Sequence, residues 1–212
     1  MTDGAPGTTR MPTSHLHPPH PTDHAAATAS AHLHTDAVRV LREWVPPGED
    51  QRRLRDEYLD HLTAHPDGVV KAGPPEHLTA SCLVLDPAGE HVLLTLHRRA
   101  HEWFQFGGHL EPGDASLWEA ARREAREESG IDALEPLPVP VQLDRHALAG
   151  AFGGCREHLD VRYVAVAPEG STPAVSEESH DVRWWPVGAL PPGTRDELSA
   201  LVAVALAALG ER

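Results

Sequence analysis

The chain has 212 residues, with 32 acidic against 18 basic side chains and a formal charge of −14 at pH 7. Its 40% hydrophobic content supports one compact domain with extensions, no apolar run approaches the ~20 residues of a membrane span, and the start lacks the apolar stretch of a secretory signal, so a cytoplasmic protein is expected. The acidic surplus excludes a broad basic face for polymeric nucleic acid, although a divalent cation can reverse the sign locally for a small phosphorylated ligand.

Residues 1–34 are rich in Pro, Thr, Ala and His, show no sustained hydrophobic period, and are expected to form a disordered tail. Six histidines fall there (His15, His17, His20, His24, His32 and His34) and read as a solvated segment; Met11 offers a second start. Residues 35–68 are expected to be a helical N-terminal extension. Thr35-Asp36 suits a helix cap, and Val38, Leu41 and Val45 follow at helical spacing until Pro46-Pro47 stops them. A second helix over about 49–65 places Leu54, Tyr58 and Leu62 on one stripe.

Residues 69–212 form the main domain. Leu78–Leu85 is apolar and rich in strand formers, Asp86-Pro-Ala-Gly89 is turn chemistry, and His91–Leu96 reads as the return strand. A short segment, Trp103–Phe106, runs into a glycine pair, and a helix is predicted over Ser116–Ser129. Further strands are predicted over 141–145, 158–167 and 182–187, with a last helix over about 195–209. This order suggests an α/β sandwich around a mixed sheet. The two cysteines, Cys82 and Cys155, are too few for a disulfide framework and read as small buried hydrophobes.

The chemistry is concentrated in residues 107–131, GGHLEPGDASLWEAARREAREESGI. Ser116 and Glu119 make a capping box, and Gly130 suits the helix end. Glu124, Glu127 and Glu128 lie within about a 100° arc of the helix. Like charges at that spacing repel, and they sit where the helix dipole disfavours anions. Either the face is solvated among Arg122, Arg123 and Arg126, or hard cations bind it.

The stretch resembles the Nudix box, through Gly108, Asp114, Arg123, Glu124, Glu127, Glu128, Gly130 and Ile131. Asp114 stands where the box usually has Glu, and one extra residue separates it from Arg123, which puts the usual contact between loop acid and arginine in question. HLTAS at 77–81, HLDVRY at 158–163 and VRWWPVGALP at 182–191 extend the resemblance over about 77–208.

The resemblance implies a Nudix-type α/β/α sandwich and hydrolysis of a diphosphate bond by attack of water on phosphorus. The substrate would be a nucleoside diphosphate linked to another moiety, or a nucleoside triphosphate. Glu124, Glu127, Glu128 and the carbonyl of Gly108 would bind Mg²⁺, or Mn²⁺ in its place, and Arg123 would orient the carboxylates. The base would be a box glutamate or an acid outside it, for which Glu178 is the candidate and Glu177 its competitor. Arg98, His109, His158 and Arg162 are the candidates for touching substrate; His158, Asp160 and Arg162 share one sheet face, which either lines a cleft or meets solvent. Trp103 and Phe104 read as core, with base stacking as the alternative. Subfamily markers do not choose a substrate: Ala147 stands where ADP-ribose hydrolases often carry Pro, and no Tyr lies between Ile131 and His158. Dimers are common among such relatives, so a homodimer is an expectation. Two other readings are an isomerase resembling isopentenyl diphosphate isomerase, which needs a cysteine and a glutamate, and a non-catalytic nucleotide sensor, which would be expected to lose box carboxylates.

Overall fold

A computed structural model describes residues 21–148 and 154–210. In chain order the elements are α1 (Pro21–Glu43), α2 (Glu49–Ala64), β1 (Glu76–Leu85), β2 (His91–His97), β3 (Trp103–Phe104), β4 (Phe106–His109), α3 (Leu117–Ser129), β5 (Gln142–Ala147), β6 (Glu157–Val166), β7 (Ser179–Pro186) and α4 (Asp196–Gly210). The seven strands make one mixed sheet in the order β3-β2-β1-β6-β5, with β4 paired to β1 and β7 to β2. Strand β1 is the hub. It runs parallel to β6 along its whole length, and antiparallel to β4 over its middle, Thr79–Cys82, and to β2 at its end.

The alternation of β1 explains both faces of the sheet. Leu78, Ala80, Cys82 and Val84 point into a core shared with Phe106, with Leu117, Ala120, Ala121 and Ala125 of α3, and with α1 and α2. On the opposite face the strand changes character midway. His77, Thr79 and Ser81 are polar, whereas Leu83 and Leu85 pack under Leu198, Leu201, Val202 and Ala205 of α4. Strand β6 repeats this, with His158, Asp160 and Arg162 preceding Val164. Helix α4 therefore covers only the apolar half of that face, and the polar half is left beside it.

The N-terminal helix differs from the sequence reading. It begins at Pro21, inside the stretch read as a tail, and proline is tolerated in a first helical turn. Leu33, Ala37 and Leu41 recur every fourth residue and are fully buried in the core beneath α3. Leu33 lies before the expected boundary, so its place in that stripe was not legible from the Thr35-Asp36 cap signal. Those two residues do other work: the Thr35 hydroxyl donates to Ala31 O, and Asp36 accepts from the backbone N–H of Leu117 at the start of α3. His32 and His34 are not simply solvated, their Nε2 atoms lying 2.8 Å from Ala115 O and 3.0 Å from Leu62 O. His15, His17 and His20, and with them Met11, lie outside the described residues.

Helix α2 closes the far edge of the sheet. Gln51 donates to Leu143 O and accepts from Leu143 N, pairing backbone groups that edge strand β5 would otherwise expose. Tyr58 is fully buried and donates to Asp144 O at 2.6 Å. Among the described residues no helix is long and apolar enough to cross a membrane.

Candidate active site

Helix α3 is fixed at both ends by the residues the sequence marks. Ser116 Oγ accepts from Glu119 N at 3.1 Å, and Gly130 closes the helix in the left-handed region at φ 71. A Cβ at Gly130 would lie 2.6 Å from the Ala174 Cβ, so glycine is required there by space as well as by φ. With the alanines of α3 turned to the core, the glutamates are left on the flank that meets β4.

The glycine pair brings backbone up to those carboxylates. Gly107 and Gly108 pair with Ser81 and Ala80 of β1, and a Cβ at Gly107 would come within 2.4 Å of the Ser81 Cβ. At Gly108 a Cβ would sit 2.7 Å from a Glu124 carboxylate oxygen, and Gly107 N donates to Glu128 at 3.1 Å. Any side chain at either glycine would displace the acids or the strand.

Arg123 organises the group from the other side. Its Nη1 donates to Glu124 at 2.9 Å and to Glu127 at 3.2 Å, and its Nη2 donates to His109 O at 3.0 Å. The contact that the longer loop put in question is made: Arg123 donates to both oxygens of Asp114, at 2.9 and 3.1 Å. Asp114 also accepts from Glu111 N at 2.7 Å, and Ala115 and the cap residue Ser116 lie ahead of α3, which begins at Leu117. Burial works to discharge Arg123, but its hydrogen bonds to Asp114 and the charge of Glu124 hold its pKa well above the usual range.

The carboxylates themselves are strained electrostatically. Burial raises Glu124 to about 7 against the opposing charge of Arg123, with Glu127 and Glu178 adding to the rise. Burial and the charge of Glu124 raise Glu128 to about 8, although Gly107 N offsets part of this. Glu127 is exposed and completes the group from the solvent side. The donor set is entirely oxygen, with two acids that do not ionise readily alone, and it fits a hard divalent cation.

Next to this group lies a cleft of about 330 Å³, lined among others by Glu128, Gly107, Gly108, Phe104, Arg99 and Arg195. Its floor is the polar half of the sheet. Asp160 accepts from Thr79, Ser81 and Arg162 at 3.1, 2.7 and 3.1 Å. Arg162 continues to Gln142 at 3.0 Å and to Asp144 at 2.9 Å, and Asp144 is held below its ordinary range, despite burial, by His146 and Arg162. The β1–β6–β5 register stacks these rows in line, Thr79 beside Asp160 and Asp160 beside Asp144.

The candidates from the sequence separate accordingly. Arg123, Glu124, Glu127, Glu128 and Gly108 come together. Glu178 lies in the exposed loop before β7, and its charge acts on both Glu124 and Glu128. The loop is tied at both ends, by Ala174 N donating to Ser129 O and by Arg98 N donating to Glu178 O. Arg98 also sends Nη2 to Ser179 O, so it braces this loop, while Arg99 lines the cleft. Arg162 lines the floor but its guanidinium is consumed by Asp160, Asp144 and Gln142. His158 is at the cleft, and burial with neighbouring His146 and His77 lowers it to about 4. His109 turns to the same histidine group, and burial with His158 and Lys71 lowers it to about 3. Trp103 and Phe104 are half-buried at the cleft: Trp103 packs against the α4-side core and Trp185, as read, while Phe104 lines the cleft with Arg195 over its ring at 5.6 Å.

Cys82 is fully buried on the core face of β1, and burial pushes its thiol up, which removes it from any proton transfer in the cleft. Cys155 is partly exposed beside His109 and so does not pack as a buried hydrophobe. The contributions of Thr79, Ser81 and Asp144 to the floor are not evident from the sequence. The signal was present in the matching polar alternation of HLTAS and HLDVRY, but strand pairing was needed to bring the two together.

A family model described as NUDIX domain matches residues 75–203. A solved NUDIX-family hydrolase from Clostridium perfringens is similar over 63% of this chain and 97% of its own, at 24% identity and a TM-score of 0.51. The Ap4A hydrolase of C. elegans is similar over 64% and 98%, at 22% identity and a TM-score of 0.51. The dihydroneopterin triphosphate pyrophosphohydrolase of E. coli is similar over 59% and 91%, at 16% identity and a TM-score of 0.50. No curated protein matches the chain. The family match covers β1 into the first half of α4, including the glycine pair, Arg123 and the helix glutamates, and the chain belongs to the Nudix family of hydrolases.

Proposed function

We propose that this chain is a Mg²⁺-dependent pyrophosphohydrolase that cleaves a diphosphate bond in a nucleoside diphosphate linked to another moiety, or in a nucleoside triphosphate. The observation that carries the reading is the gathering of Glu124, Glu127 and Glu128 against Gly107 and Gly108 at the wall of a small-ligand cleft. Glu124, Glu127, Glu128 and the Gly108 carbonyl would hold the ion. When bound, Mg²⁺ neutralises phosphate oxygens and lowers the barrier to attack by water. Arg123 keeps Glu124 and Glu127 in register by donating to both, and Asp114 keeps Arg123 charged.

Glu178 is the proposed base. Its loop is pinned to the end of α3 and to Arg98, and it is close enough to the box acids to act on their ionisation. The cleft volume of about 330 Å³ falls within the range of small-molecule pockets and suits no polymer. Phe104, half-buried at the cleft, offers a flat apolar surface that suits stacking of a nucleobase, while Arg195 over its ring is ion-paired with Glu102.

The test is a hydrolysis panel of nucleotide sugars, dinucleotides and nucleoside triphosphates with Mg²⁺, with Glu127→Gln as control. Turnover that needs Mg²⁺ and falls at least ~100-fold in the variant is expected. No turnover of any compound, or undiminished turnover in Glu127→Gln, overturns the proposal.

A further inference from the structure

A second group of metal-type ligands gathers at the start of the same sheet face, with no residue in common with the carboxylates. His77 lies near the start of β1, His158 is its register partner on β6, and His109 ends β4 opposite Thr79. Cys155 stands just ahead of β6, its Sγ 3.8 Å from His109 Nε2. The ring centroids are 5.0 Å apart for His77 and His109, 5.4 Å for His77 and His158, and 5.0 Å for His109 and His158. One ligand atom from each of the four residues lies within 4.8 Å of the other three.

The hydrogen bonding of the group leaves it incomplete. His77 is 1% exposed, and its Nδ1 lies 2.9 Å from Pro74 O. A carbonyl only accepts, so Nδ1 is the donor to it, and in the neutral ring that a metal ligand requires the lone pair is on Nε2. That Nε2 is buried without a partner, and so is Nε2 of His158. Two orphaned ring nitrogens within one such group carry a desolvation cost that native structures rarely leave uncompensated. A carbonyl on the far ring nitrogen is also the usual way a protein orients a ligating imidazole.

We infer that His77, His109, Cys155 and His158 form a second metal centre that takes a zinc-class transition ion. Three imidazoles and a thiolate are a borderline-soft donor set that suits Zn²⁺ and does not suit Mg²⁺, which demands oxygen. Tetrahedral zinc with ordinary bond lengths sets nitrogen and sulfur about 3.6 Å apart, close to the separation of His109 and Cys155. Four protein ligands leave no open position, so the centre is structural. It clamps the chain entering β6 onto β1 and β4, at the edge of the cleft that His158 lines. Cys155 and His158 stand in a C-x₂-H spacing, a short-range zinc signal whose other half comes from strands far away in sequence.

The full chain titrated with Co²⁺ in excess Mg²⁺ provides the test. One equivalent should give the visible bands of tetrahedral cobalt together with a sulfur-to-cobalt charge-transfer band, and Zn²⁺ should bleach both. The histidine-rich N-terminus holds no cysteine and cannot produce the second band. Cys155→Ser should lose that band and bind at least about 100-fold more weakly, whereas Cys82→Ala and Glu127→Gln should keep it. His109→Ala, checked for folding by circular dichroism, should weaken binding while leaving the thiol present. Absence of the charge-transfer band from the natural chain, or its survival in Cys155→Ser, overturns the inference. Neither result bears on the hydrolase reading, since the carboxylates are untouched.

Discussion

Glu124, Glu127 and Glu128 were legible as a group from their spacing on a helix, yet the roles of the residues around them depend on contacts that spacing does not encode. Glu178 illustrates this. In the sequence it is one of two adjacent loop acids; in the fold, Ala174 ties its loop to the end of α3 and Arg98 ties it to the end of β2. If it is the base, Glu178→Gln should lower kcat by roughly 100-fold or more with KM little changed, because the amide keeps the shape and loses the proton acceptor. Glu177→Gln is the matched control. Steady-state kinetics on the best substrate of the panel decide it, and an unchanged kcat for Glu178→Gln returns the residue to an ordinary loop acid. Asp114 makes the complementary case. Its side chain is 5% exposed and takes a forked pair of hydrogen bonds from Arg123. Asp114→Ala would leave that guanidinium without its main partner, at a cost of about 3 kcal/mol read by urea denaturation. It should also weaken Mg²⁺ binding, since Arg123 would no longer be held to both Glu124 and Glu127.

At the scale of elements, hydrophobic period placed α3, α4 and strands β1, β2, β5, β6 and β7 to within a few residues, whereas β4, built on the glycine pair, carries no such period and reads only as the end of one short segment. Helix α1 shows where that signal stops. Its N-terminal half has alanine and histidine where a helix usually shows leucine, so composition alone pointed to a tail. Burial of Leu33 became visible only once α3 supplied the opposing surface. The helix is also wired into the site, since Asp36 caps α3 from outside and His32 reaches Ala115 O in the box loop. Asp36→Ala should therefore destabilise the fold by about 1 kcal/mol through the lost cap on Leu117 N. Because α3 carries the glutamates, the same variant should also raise the Mg²⁺ concentration needed for half-maximal activity. Denaturation curves and a Mg²⁺ titration are the two readings; a loss of stability without any metal effect would show that α1 supports the core alone.

At the scale of the whole molecule, the sheet is built so that one face is half core and half site. The change from polar to apolar along β1 and β6 leaves the cleft beside α4, and it was readable in each strand separately but not as a shared surface. The cost of that arrangement falls on the buried acids, and it makes a prediction about pH. Glu124 and Glu128 are raised by burial, and by their neighbours, to about 7 and about 8. An acid whose pKa is higher in the folded state binds more protons folded than unfolded, so stability decreases as pH rises from the unfolded carboxyl value through the folded one. For the chelator-treated protein the melting temperature should fall between about pH 4.5 and pH 8, by on the order of 5 °C. Mg²⁺ binds only the ionised acids, so added metal should restore the loss at pH 8 and have little effect at pH 5. Thermal melts at the two pH values, with and without Mg²⁺, measure this directly. The double variant Glu124→Gln, Glu128→Gln should flatten the pH dependence and abolish the metal response together, because both come from the same two carboxyl groups.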